Sequence, residues 1–229
     1  MRNCVRRICE IVLNKFEYIL LCKKTILLLT SKGLNSKVGR EIILNRLDKY
    51  CEKRNLEFMK VLIISNASNE VNRIIIDSLI EFGFNLELID VVDGRNASIK
   101  RYNCYDLIYV GEAESLYELM SILDSNLKKI IKDSKENGTI YVGASAGATC
   151  ISDDIKYVIQ DFDNKSQEYD NIDTCGIGLV NDIMILPHYE DEHKENYIKY
   201  YEEIENINLL DEFSDIYNIP EEGYIEFIL

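Results

Sequence analysis

The chain has 229 residues and a formal net charge of −14, and apolar residues make up 47% of it. A chain of this length and composition fits one α/β domain with a large buried core. The acidic balance argues against a nucleic-acid partner, because a protein that binds a phosphate backbone needs clustered lysine and arginine. We also expect no membrane association, because no apolar run approaches the roughly 20 residues that cross a bilayer.

The first 24 residues differ in charge from the rest of the chain. They contain six basic and two acidic residues, a balance of +4, and two short apolar runs. Asn14, Lys15 and Glu17 interrupt these runs and no small-residue cleavage site follows, which is not typical of a signal peptide. We predict that residues 1–23 are an N-terminal extension, or lie upstream of the natural start, and that residues 24–229 form the domain.

From residue 25 onward, short apolar runs alternate with segments of helical spacing. The apolar runs predict strands at 25–30, 61–65, 86–90, 106–110, 139–143 and 182–186. The segments between them predict helices at 36–54, 70–82 and 115–136, the last broken near Asp124. Continuous apolar strands separated by helices indicate a mostly parallel sheet that is covered on both faces. Such a sheet binds its ligands at the carboxyl ends of its strands.

The cysteines indicate a reducing compartment. Their number is odd, their spacing is irregular and they form no C-x-x-C pair, which is typical of buried thiols rather than of a disulfide framework or a zinc site. We therefore expect a cytoplasmic protein with no bound metal. The seven residues are Cys4, Cys9, Cys22, Cys51, Cys104, Cys150 and Cys175.

The segment Gly143-Ala144-Ser145-Ala146-Gly147 directly follows the fifth predicted strand. It matches G-x-S-x-G, the pattern of a nucleophile elbow, in which a serine stands on a sharp turn between a strand and a helix. Only small side chains fit beside the serine of such a turn. The backbone N–H of Ala146 can then help to stabilise an oxyanion. The alternative interpretation is a turn of small residues without catalytic function.

A serine nucleophile needs a base, and the chain has two histidines, His188 and His193. His188 follows the strand-like run 182–186 and Pro187, so we predict that it lies at the carboxyl end of a strand, as Ser145 does. His193 lies in an acidic segment that is typical of the exposed start of a helix. The prediction for the general base is therefore His188.

The third member of a triad is an acid that orients the imidazole. Periodicity does not choose among the acidic residues between the serine and the histidine, and most of them must be solvated in so acidic a chain. The candidates are Asp153, Asp154, Asp161, Asp163, Glu168, Asp170 and Asp173.

Taken together, several segments resemble the dipeptidase E family, peptidase family S51. Val142–Ala148 is similar to its G-x-S-A-G-A elbow. Gly176–Val180 and Ile185–Tyr189 look like its "GLGLV…PHY" segment, which carries the base histidine. Leu27–Leu34 resembles its opening strand and "TSNGL" turn, and Val61–Ser68 resembles its second strand.

This resemblance runs from about residue 24 to the C-terminus and implies a three-layer α/β sandwich of the class I glutamine amidotransferase type. It implies a Ser-His-Asp/Glu triad that cleaves small peptides through an acyl-enzyme, with no metal or organic cofactor. Dipeptidase E itself prefers an N-terminal aspartate. The position of the acid in the family indicates Asp161, with Asp163 and Asp154 as reserves. The expected ligand is a small peptide substrate. The expected oligomeric state is a monomer or a homodimer.

Two features depart from the family pattern. The family's glycine-rich loop after the fourth strand corresponds here to Gly111–Ser115, which contains Glu112 and Glu114. The N–H of Glu112 or Ala113 is expected to complete the oxyanion hole with Ala146, but a carboxylate aimed at the site would oppose the developing charge. The second half of the chain also lacks arginine, the usual bidentate partner of a substrate carboxylate.

The sequence therefore predicts a serine-type hydrolase in which Ser145 attacks, His188 transfers the proton and Asp161 orients His188. The alternative is a catalytically impaired binding protein on the same fold, because of the altered Gly111–Ser115 loop. A third interpretation is a glutaminase of the amidotransferase type. Such enzymes have a cysteine at the elbow, whereas Cys150 lies five residues after the serine.

Overall fold

The structure, a computed structural model, describes residues 24–52, 54–93, 102–111, 113, 115–153, 155, 175–181, 183–189, 215–220 and 223–229. The predicted extension, residues 1–23, lies outside this part of the chain, and the domain boundary at residue 24 stays a prediction. None of the helices described in these ranges is long and apolar enough to cross a bilayer.

The described strands form a six-stranded sheet and a separate two-stranded sheet. The strands are β1 (Ile26–Thr30), β2 (Val61–Ile64), β3 (Ile89–Val92), β4 (Leu107–Val110), β5 (Ile140–Ala144), β6 (Ile183–Tyr189), β7 (Asp215–Pro220) and β8 (Tyr224–Ile228). The large sheet has the order β3-β2-β4-β5-β1-β8, and β6 pairs with β7. β1 to β5 are parallel, and β8 pairs with β1 in the antiparallel direction. The carboxyl ends of five strands therefore meet at one edge.

Helices follow most of the strands. They are α1 (Lys37–Cys51), α2 (Asn69–Phe82), α3 (Leu116–Ile122), α4 (Ser125–Lys135) and the single turn α5 (Ala146–Thr149). The first four begin after a residue whose side chain accepts a hydrogen bond from the backbone N–H three residues on, namely Ser36, Ser68, Ser115 and Asp124. Asp124 thus separates α3 from α4 at the predicted break. Gly83, at a φ of 120°, ends α2.

The core has two layers, one on each face of the large sheet. Successive side chains of a strand point to opposite faces. Leu27 and Leu29 accordingly pack in the cluster that includes residues of α3, α4 and α5. Ile26 and Leu28 pack in the cluster that includes residues of α1 and α2. All the side chains of β1 are buried, as predicted for a strand covered by helices on both faces.

Two predicted strand boundaries need correction. Leu86–Leu88 form a 3₁₀ turn and not the first part of a strand, and β3 begins only at Ile89. The reason is local, because the side chain of Asn85 accepts a hydrogen bond of 3.0 Å from Glu87 N and holds the turn. β6 also continues past its predicted end, so that His188 lies within the strand and not after it.

Candidate active site

Ser145 stands between β5 and α5 in an unusual backbone conformation. Its φ and ψ are 51° and −118°, which a residue with a Cβ rarely adopts. Its N–H donates a hydrogen bond of 2.8 Å to the carbonyl oxygen of Thr30, at the end of β1. The predicted sequence of strand, sharp turn and helix is therefore present around this serine.

The glycines on either side of Ser145 are required by space. A Cβ on Gly147 would overlap the carbonyl oxygen of Val110, so that α5 could not pack against β4. A Cβ on Gly143 would lie 2.5 Å from the carbonyl oxygen of Gly147, which is too close for any side chain. These contacts explain the G-x-S-x-G pattern, because the elbow brings β4, β5 and α5 together at their backbones.

His188 is the hydrogen-bond partner of the Ser145 side chain. Its Nε2 lies 2.7 Å from Ser145 Oγ, although the residues are 43 positions apart. His188 has a φ of 60°, and within the described ranges it and Ser145 are the two non-glycine residues at positive φ. Residues held in such strained conformations cluster at functional sites, where the surrounding structure compensates for the strain.

A second serine, Ser31, holds the backbone of His188. Ser31 follows β1 directly, and its Oγ accepts a hydrogen bond of 2.8 Å from His188 N. The same hydroxyl donates to the carbonyl oxygen of Ile219 in β7, at 3.1 Å. Ser31 is 2% exposed, so water does not compete for these bonds. Ser31 lies in the segment Leu27–Leu34 that resembles the family's opening strand and turn, but no pattern in the sequence indicates this contact.

The interior beneath the elbow contains a neutral polar group and a thiol. Tyr141 Oη donates a hydrogen bond of 2.8 Å to the carbonyl oxygen of Gly147. Cys150 Sγ lies 3.6 Å from the same hydroxyl. Burial raises the pKa of Cys150 to about 12 and the pKa of Tyr141 well above its usual value. Cys150 is therefore a protonated thiol at neutral pH, which disfavours the glutaminase interpretation because the thiolate is the nucleophile.

The loop after β4 is anchored at both ends. Gly111 N donates a hydrogen bond of 3.1 Å to the carbonyl oxygen of Ile64, and Ser115 caps α3. A Cβ on Gly111 would lie 2.9 Å from that of Ala144, so the loop begins close beside the elbow. Ala113 is half-buried between these anchors.

The chain matches a known family along most of its length. The model of peptidase family S51 matches residues 27–228. The chain belongs to peptidase family S51. The comparison with curated proteins finds no match.

Two solved structures resemble the S51 chain in fold. A 1.5 Å crystal structure of a candidate peptidase E protein from Listeria monocytogenes EGD-e is 24% identical, with a TM-score of 0.57, and the alignment covers 90% of this chain and 99% of that one. A peptidase from an acI-B1 Actinobacterium is 17% identical, with a TM-score of 0.61, and the coverage is 90% and 84%. The mostly parallel sheet and these likenesses confirm the predicted fold class.

The S51 structure brings together some of the predicted site residues. Ser145, His188, Ala146, Gly143 and Gly147 lie at one edge of the large sheet, and Ala113 lies in the loop that starts beside it. Other candidate residues lie outside the described part of the chain, namely Glu112, Glu114, Asp154, Asp161, Asp163, Glu168, Asp170 and Asp173. His193, which the sequence predicts to be exposed and not the base, also lies outside it. Among the residues that are described, no cluster of His, Cys, Asp or Glu could hold a metal ion.

Proposed function

We propose that the chain is a serine peptidase that cleaves dipeptides or other small peptides. The observation that carries the proposal is the 2.7 Å hydrogen bond between Ser145 Oγ and His188 Nε2, at an edge where parallel strands end. A nucleophile and a base within hydrogen-bond reach are the minimal requirement for covalent catalysis by serine. Membership of a peptidase family gives the substrate class.

In the proposed mechanism, Ser145 Oγ attacks the carbonyl carbon of the peptide bond while its proton moves to His188 Nε2. The carbonyl oxygen takes up the electron pair of the C=O double bond and becomes an oxyanion. When this intermediate collapses, the C–N bond breaks and the imidazolium donates its proton to the leaving amine. Water then attacks the acyl-enzyme, with His188 again as base, and the acid product leaves.

The oxyanion would be stabilised by backbone N–H groups at the elbow. Ala146 is the first residue of α5, so its N–H has no acceptor within the helix and is available to a ligand. We assign the second donor to the loop after β4, at Glu112 or Ala113. Support comes from Gly111, the first residue of this loop, whose backbone lies close beside Ala144 of the elbow.

The proposed acid of the triad is Asp161, as the family resemblance implies. The register of the small sheet gives a reason to test a second position. Tyr189 pairs with Pro220, so the chain leaves β7 beside the end of β6 that carries His188. The next two residues, 221–222, are both glutamate. A carboxylate from either segment would orient the imidazole and stabilise its charged form.

The proposal is tested with a fluorophosphonate probe, which forms a covalent bond with an activated serine. We expect labelling of the wild type and none of Ser145→Ala, with circular dichroism as the check that the variant is folded. A dipeptide library then gives the substrates, and cleavage by the wild type but not by Ser145→Ala or His188→Ala would identify a dipeptidase. Equal cleavage by all three would reveal a contaminating enzyme.

The second candidate function is a binding protein that has lost efficient turnover. The observation in its favour is the sequence of the Gly111–Ser115 loop, which has two glutamates where the family has glycine-rich sequence. Losing one oxyanion donor can reduce the rate by 100-fold or more, roughly 3 kcal/mol in the barrier. Folded wild type that takes no label, but binds peptides in calorimetry, would favour this function over the peptidase.

A further inference from the structure

The hydroxyl of Ser31 connects three segments that are distant in sequence. It accepts a hydrogen bond from His188 N and donates one to the carbonyl oxygen of Ile219, across separations of 157 and 188 residues. Ser31 belongs to the turn after β1, whereas its two partners belong to β6 and β7. One buried side chain therefore fixes the small sheet to the end of the large one.

This contact acts on one of the two site residues that have a positive φ. His188 has a φ of 60°, a conformation that an L residue with a Cβ avoids unless its surroundings impose it. The hydrogen bond from His188 N to Ser31 Oγ fixes the peptide group between residues 187 and 188, and so restricts rotation about the N–Cα bond of His188, which is the angle φ. Without it, the backbone can relax, and the imidazole would move away from its 2.7 Å contact with Ser145 Oγ.

The residue before Ser31, Thr30, holds the backbone of Ser145. The carbonyl oxygen of Thr30 accepts the hydrogen bond from Ser145 N, at 2.8 Å. Two consecutive residues at the end of β1 thus hold the backbones of the two residues whose side chains meet. The distance between nucleophile and base depends on this dipeptide, because each of its members fixes one of them.

We propose that Ser31 is a positioning residue that holds His188 in register with Ser145. This role rests on the proposed peptidase function. Ser31 does not touch the reacting atoms in this scheme, and it acts through the backbone of His188. The effect belongs to the chemical step and not to substrate binding, so kcat should fall while KM changes little.

The test compares Ser31→Ala and Ser31→Cys with a matched control, Ser134→Ala. Ser134 is fully buried, accepts a hydrogen bond of 3.0 Å from Tyr105 N and donates one of 2.8 Å to Ile130 O. It therefore has the same kinds of bond as Ser31, but its partner Tyr105 precedes β4, at the opposite edge of the sheet from the site. Ser31→Cys fills the volume of the serine with a weak hydrogen-bonding group, which keeps the test usable if Ser31→Ala does not fold.

Two readouts separate positioning from stability. The first is the rate of fluorophosphonate labelling per folded molecule, together with kcat and KM on a cleaved dipeptide. The second is the NMR signal of the His188 ring, which is resolved in a His193→Asn background because the chain has only two histidines. We expect both Ser31 variants to lose roughly 10- to 100-fold in labelling rate and kcat, and to shift the His188 signal. Ser134→Ala should do neither.

The proposal is overturned if folded Ser31→Ala or Ser31→Cys labels at the wild-type rate, or if the His188 signal moves no more than in Ser134→Ala. Failure of the proposed function has a different signature, because wild type would then take no label at all. In that case the NMR signal still reports whether Ser31 holds His188, since it needs no turnover.

Discussion

Ser145 and His188 share a hydrogen bond, and both have a positive φ, of 51° and 60° respectively. Asparagine tolerates positive φ better than most residues but is not a base. His188→Asn should therefore keep the free energy of unfolding within about 1 kcal/mol of wild type while labelling slows by about 1000-fold or more. Urea denaturation and fluorophosphonate kinetics measure the two effects. Rapid labelling of the folded variant would exclude His188 as the base.

The identity of the triad acid can be tested by isosteric variants. If Asp161 is the triad acid, we expect Asp161→Asn to reduce kcat by about 10⁴-fold, as the corresponding change does in a protease of the chymotrypsin type, because the imidazole loses its orienting carboxylate. Four further variants are measured in the same assay, namely Asp163→Asn, Asp154→Asn, Glu221→Gln and Glu222→Gln. A large loss in one of these four, with Asp161→Asn near the wild-type rate, would move the assignment to that residue.

Cys150 should make the fold sensitive to alkali. The unfolded thiol loses its proton near pH 9, whereas burial keeps the folded thiol protonated up to a pKa of about 12. The unfolded state thus binds fewer protons between these values, and the free energy of unfolding falls as the pH rises. Cys150→Ala should remove up to about 1.4 kcal/mol of this loss per pH unit.

The measurement is urea denaturation at several values between pH 8 and pH 12. Cys51→Ala is the comparison, because burial raises the pKa of that thiol to about 11 and its contribution ends earlier. A slope in Cys150→Ala equal to that of wild type would contradict the prediction, whatever the change in stability at pH 8.

Gly147 should tolerate no side chain. The methyl group of Gly147→Ala would overlap the carbonyl oxygen of Val110, which belongs to a central strand and cannot move freely. We expect a loss of at least about 3 kcal/mol in the free energy of unfolding, and loss of fluorophosphonate labelling. Gly83→Ala is the control, since its Cβ would meet only the Leu56 side chain at 3.2 Å. That variant should be strained by its φ of 120° but should label normally when folded.

Much of the fold follows from local patterns. The buried strands appear as apolar runs, and Ser36, Ser68 and Asp124 mark helix starts because each accepts a hydrogen bond from a nearby backbone N–H. Leu86–Leu88 was wrongly predicted as strand, because the capping by Asn85 outweighs the apolar spacing. β7 and β8 were not predicted, since their positions depend on pairing with β6 and β1, which no local pattern records.

The candidate site was predictable only in part. The elbow has a sequence pattern because nearby backbone atoms, all within the segment 110–148, leave no space for a side chain at Gly143 or Gly147. Ser31 has no such pattern, because its partners His188 and Ile219 reach it only through tertiary structure. Hydrogen bonds between distant segments leave no periodic signal, and these are the contacts that bring the histidine to the serine.

β8 covers the edge of β1 and so protects the large sheet from pairing with other chains. β8 pairs with β1 from Ile26 opposite Ile228 to Thr30 opposite Tyr224, and it supplies the antiparallel edge of the large sheet. Removing it would leave the backbone groups of β1 that face β8 without partners, while β1 stays paired with β5 on its other side. Exposed strands of that kind recruit other chains and aggregate. We therefore expect a truncation that removes β8 to reduce the yield of soluble, folded protein.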